Sequence, residues 1–111
     1  MTKVQIDPGV CGFLTAVEAQ ADEDQIEVTL TVKSGCDAVR KMMEALGSTF
    51  DAMALCLCKP GQDPLTRWAG ENFPVHAGCP VIAGILKCAE AEAGLALKED
   101  CAIRFLNEEK Q

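Results

Sequence analysis

Seven cysteines and one histidine are the residues of this chain whose types could carry chemistry. Three of the thiols sit in glycine- or proline-rich turns: Cys11 in Pro8-Gly9-Val10-Cys11-Gly12, Cys36 in Ser34-Gly35-Cys36-Asp37, and Cys79 in Gly78-Cys79-Pro80. Glycine beside a cysteine lets an ion or a cluster approach the backbone closely. Cys36 and Cys79 each fall where a helix is expected to begin, and the unpaired amides and dipole of a helix start favour a thiolate. His76 stands three residues before Cys79, an H-x-x-C spacing short enough for both side chains to reach one ion. Cys11, Cys36, His76 and Cys79 are therefore the candidate metal ligands: a Cys₃His zinc site, or three thiolates for an iron–sulfur cluster.

Other readings of the same thiols stand beside this one. Free cysteines commonly serve as small buried hydrophobes. A reactive thiol needs no metal. There is no C-x-x-C pair and no ferredoxin spacing. The chain is thus read as an uncharacterised small protein that binds a metal or cluster. The alternatives are a non-enzymatic interaction or structural domain with packed cysteines, and a thiol redox or sulfur-carrier protein. Cys88 and Cys101 fall on apolar faces of their segments, and Cys56 and Cys58 lie among Met53, Leu55 and Leu57; all four are expected in the core. Arg40, one turn after Cys36, is too close for a phosphate-wrapping loop and is expected on a solvated helix face. Glu92 is expected to reach solvent from the boundary of the last helix. No phosphate loop, dinucleotide fingerprint or Ser/His/Asp set is present, so no catalytic residue is assigned.

The elements that must position these side chains follow from periodicity. Val4 and Ile6 flank Gln5 in a short first strand. A second strand is expected over residues 13–20, with Phe13, Thr15, Val17 and Ala19 on one face. From Gln25 to Lys33 the pattern alternates strictly, Ile26, Val28, Leu30 and Val32 against polar neighbours. The second and third strands should form a hairpin around Asp22–Asp24, which carries Cys11 and Cys36 to one end of the sheet. Ser34 followed by Asp37 reads as a helix cap, Val39, Met42, Met43 and Leu46 repeat at helical spacing, and Gly47 stops the run. Residues 49–58 suit either a strand or a helix. Asp63-Pro64 caps a short helix, and Cys79-Pro80 opens a last one ending near Leu97. Asp100 to Leu106 is expected as a final strand, with Cys101, Ile103 and Phe105 on one face.

Strands first and helices after predict an α+β fold, a mainly antiparallel sheet of about four strands with helices packed on one face, forming a single domain over residues 1–111. With 49% hydrophobic residues, the core needs no disulfide staple. The net charge of −7 repels phosphate backbones, so nucleic acid is not expected as a partner. No apolar run suits a signal peptide or a bilayer span, so a cytoplasmic location with reduced thiols and no membrane contact is expected. A protein partner and the oligomeric state are left open.

Three segments together resemble a known family: Pro8-Gly9-Val10-Cys11-Gly12-Phe13, Ser34-Gly35-Cys36 and His76-Ala77-Gly78-Cys79-Pro80-Val81. With Ile85-Leu86-Lys87 and Ala93-Gly94-Leu95-Ala96-Leu97, they are similar to a family of small uncharacterised proteins from anaerobic bacteria and archaea. The resemblance covers nearly the whole chain. It implies a reducing origin and no known activity, and its pattern includes Cys11, Cys36, His76 and Cys79 but not the other four thiols.

Overall fold

The alternation of apolar and polar residues in the N-terminal third builds an antiparallel meander. In the computed structural model, which describes residues 1–72 and 76–107, β1 (Thr2–Ile6), β2 (Thr15–Ala21) and β3 (Glu27–Ser34) pair in sequence order. The register sets Ile6 against Thr15 and Thr15 against Ser34, so these three residues form a row at one end of the sheet. Thr15, Val17, Ala19, Val28 and Leu30 are buried on one face. Lys3, Gln5, Gln20, Thr29, Thr31 and Lys33 are exposed, and the in-register neighbours Lys3 and Glu18 form a 3.7 Å ion pair. The strand faces match the sequence pattern, but Phe13 and Ile26, expected to be buried, are 47% and 55% exposed beyond the strand ends.

The sheet has four antiparallel strands in the order β1-β2-β3-β4, and four helices make the fold α+β. The fourth strand is not the one expected. It is β4 (Thr49–Asp51), drawn from the ambiguous segment, and it pairs with the start of β3. Residues 101–107, expected to hold the final strand, form none. The carboxylate of Asp51 accepts the Ala54 amide at 2.8 Å and so turns the chain straight into α2 (Ala52–Cys56).

Helix α1 (Asp37–Leu46) begins where β3 ends. Its N-cap is Cys36 rather than Ser34, and the Ser34 hydroxyl is engaged otherwise: it accepts the Cys36 amide at 3.1 Å and the Thr15 hydroxyl at 2.8 Å. The run stops at Gly47, as its sequence predicts. Asp63 caps α3 (Pro64–Asn72) by accepting the Thr66 amide at 2.9 Å. Helix α4 spans Val81–Glu92 with Pro80 as N-cap, ending five residues before the expected Leu97.

Helix α4 lies across β1 and β2 and locks them. A methyl group at Gly84 would stand 2.5 Å from Cδ1 of Ile6, so the helix approaches β1 as closely as a bare Cα allows. One turn on, the buried Cys88 thiol points at the carbonyls of Thr2, 3.4 Å away, and Val17, 3.9 Å away. One further turn on, Glu92 accepts the Thr2 hydroxyl at 2.8 Å and the Ala21 amide at 2.9 Å. This corrects the expectation that Glu92 reaches solvent: its side chain is 11% exposed and is spent on the sheet. The Ala21 amide holds the carboxylate below its ordinary range; desolvation opposes this, and the Thr2 hydroxyl and the Met1 amine 3.5 Å away assist.

Two outcomes follow for α4. Gly84→Ala should cost about 1–3 kcal/mol by pushing the helix off Ile6, read by urea unfolding; an unchanged midpoint would mean the helix slides freely. Glu92→Gln should cost about 1.5–3 kcal/mol at neutral pH, the range for hydrogen bonds to a charged group. Because the folded carboxylate binds a proton less readily than the unfolded one, its stabilisation is present above the unfolded pKa of about 4.3 and is lost as pH falls through the lower folded value. The stabilities of wild type and variant should therefore converge in acid.

Candidate functional site

Two turns lie at the Ile6–Thr15–Ser34 end of the sheet, and a third leads into the helix that starts toward that end. The first lies between β1 and β2: Gly12 donates to the Gly9 carbonyl at 3.0 Å, and Gly9 donates to the Asp7 carboxylate at 2.9 Å. Gly9 and Gly12 take φ of 89° and 71°, conformations that side chains disfavour, and the exposed Cys11 is carried between them. The second turn leads from Ser34 into α1 and carries Cys36, half-buried against the core. The Phe13 ring covers its Gly35, where a methyl group would come within 3.0 Å of Cδ1.

The third turn precedes α4. The Cys79 amide donates to the His76 carbonyl at 3.0 Å, so His76 and Cys79 flank one tight turn. Because Gly84 sits on Ile6 while Glu92 reaches Thr2 and Ala21, α4 starts at the Ile6 end of the sheet. The register expectation for Cys11 and Cys36 is thus met at the level of topology, and Cys79 and His76 arrive at that same end. Both α1 and α4 present their N-terminal ends there. Cys79 is half-buried and His76 exposed. These two, with the buried Asp63 and with Thr66, Ile82 and Leu86, line an open groove of about 640 Å³.

Common placement is not coordination. Among the described residues no group of three or more histidine, cysteine, aspartate or glutamate side chains comes together to hold a metal ion. Cys11, Cys36, His76 and Cys79 share an end of the fold without converging on one point.

The remaining thiols divide by burial. Cys88 is core, as expected, and burial pushes its pKa up. Cys56 packs against the core, and desolvation, then the charges of Glu90, Cys58 and Asp63, push its pKa up to about 11. Cys58 and Cys101 are exposed, contrary to expectation. A helix through Cys56 breaks the extended C-x-C arrangement, and Cys101 has no strand neighbour to cover it. Arg40 is exposed and pairs with Asp37, as a solvated helix face predicts. The role of Glu92 was legible in the spacing of the buried stripe: Ile85, Cys88 and Ala89 lead to it at helical intervals.

The chain belongs to DUF6951, a family of unknown function, whose model matches residues 2–105. No curated protein and no solved structure matches it. No helix among the described residues is long and apolar enough to cross a membrane.

The thiols should separate by reactivity. Under native conditions at mildly alkaline pH, iodoacetamide should label Cys11 and Cys58 first, while Cys56 and Cys88 stay unmodified until the chain unfolds. Peptide mass spectrometry over a time course measures this; rapid native labelling of Cys88 would contradict its burial.

Proposed function

We propose that this chain is a small binding protein whose ligand end carries Cys11, Cys36, Cys79 and His76, and that its ligand is a soft metal ion, zinc, or an iron–sulfur cluster. The observation that supports this reading is the delivery of three turn thiols, from three distant parts of the chain, to one end of the sandwich beside two helix starts. Thiolate and imidazole are the donors such ions prefer. The donors are apart in this structure, so loading requires the turns to close. Gly9 and Gly12 let the Cys11 turn swing, and the exposed His76 is free of the core. Closure of this kind couples metal binding to local folding.

A second reading is favoured by the scatter of the donors. In it the chain is a non-enzymatic interaction domain, Cys36 and Cys79 are packing residues, and no metal is held.

Elemental analysis and a UV–visible spectrum of anaerobically purified protein decide between the two. The metal reading expects about one zinc per chain, or iron with sulfide and a visible charge-transfer band. It also expects loss of that content in Cys36→Ser and Cys79→Ser with helix content retained. Substoichiometric metal with no such band supports the interaction domain instead.

A further inference from the structure

The edge strand β1 and the C-terminal segment are each incomplete in the same way. β1 pairs only with β2, and its free edge, with the flank of α4, forms a groove of about 420 Å³. Thr2, Val4 and Ile6 make one wall, and Gly84 and Ala91 part of the other. Those helix residues are small, so the groove has room for large side chains from a neighbouring strand. An open edge of this kind is a template for strand addition.

The C-terminal segment has what the groove lacks. From Asp100 to Leu106 its residues alternate in strand fashion, with Cys101, Ile103 and Phe105 on one side. Yet Ile103, Phe105 and Leu106 are 87%, 100% and 76% exposed. The chain's own residues 96–101 line the remaining side of the groove, and the segment leaves it after Cys101. The molecule is correspondingly extended, 51 × 30 × 25 Å. Its surface of 7590 Å² exceeds by ~1,700 Å² the value of about 5,900 Å² usual for a monomer of this mass. Two such chains carry ~3,400 Å² of surplus between them, within the range of roughly 2,000–5,000 Å² that permanent homodimers bury.

We infer that the chain forms a two-fold dimer by strand exchange: residues 102–106 of one copy add as a fifth strand along β1 of the other. Ile103 and Phe105 enter the groove beside Gly84 and Ala91. The exchange is reciprocal, so each open β1 edge is closed and neither segment is left over. This inference rests on the opposite flank of the fold from the Cys79 groove and stands whether or not a metal is bound.

Sedimentation equilibrium of the full chain at micromolar concentration tests it. The expected mass is twice 11.8 kDa. The double variant Ile103→Asp/Phe105→Asp should sediment as a monomer with an unchanged far-UV circular dichroism spectrum. Arg104→Pro, which removes a strand amide and leaves the apolar residues in place, should weaken the dimer at least tenfold. Hydrogen exchange should find the amides of residues 102–106 protected in the wild type and unprotected in the double variant. A monomeric wild type would overturn the inference, whether its C-terminal amides are open or are protected by folding onto its own β1. So would a dimer that survives both variants.

Discussion

Helix α4 can settle on β1 and β2 only because position 84 has no side chain. With Ile6 filling the space a methyl group would need, the helix descends far enough for Cys88 to meet the strand carbonyls and for Glu92 to reach the sheet edge. That seating sets the direction in which α4 crosses the sheet, and the direction places its first turn beside the Thr15–Ser34 row. The location of Cys79 relative to Cys11 and Cys36 is thus a consequence of packing at Gly84, although all three thiols lie elsewhere. The groove along β1 has the same origin, since a helix held close at Gly84 overhangs the strand without covering its outer edge.

The seven thiols answer to different physical demands. Cys88 works as a short, weakly polar side chain that satisfies carbonyls where a longer one would not fit. Cys56 is kept protonated by burial and by neighbouring acids. The turn thiols face fewer constraints: they lie on backbone that is held by local hydrogen bonds and is open to solvent on one side. Buried sulfur thus lies in the core at Cys88, and fully exposed sulfur at Cys11, Cys58 and Cys101.

Much of this was written in local pattern. The alternation from Val28 to Val32 fixed which face of β3 is buried, and Gly47 and Asp63 marked helix ends by chemistry that acts within a few residues. What the pattern could not supply was partnership. Residues 100–106 alternate as a strand does, but a strand exists only beside another, and here the segment pairs with none of the four. The ambiguity of residues 49–58 had a similar source: Asp51 caps a helix immediately after a three-residue strand, so both periodicities were present in one stretch. For the site, the turns and their common end were readable from register, whereas the spacing between side chains depends on how α1 and α4 sit side by side. Helical spacing places Glu92 on the buried stripe, where a carboxylate is costly unless it is paired, but its partners, Thr2 and Ala21, lie 90 and 71 positions away.

Those separations also order events in time. The meander is local in sequence and can form as soon as its first 34 residues exist. Its apolar face, with Val17, Ala19, Val28 and Leu30, then awaits a helix made much later. At ordinary synthesis rates of about 5–20 residues per second, the nascent sheet stays uncovered for some seconds before the residues of α4 follow. A chaperone that shields apolar β-surface would find its substrate in that interval, and a ribosome stalled short of α4 would leave the sheet bare.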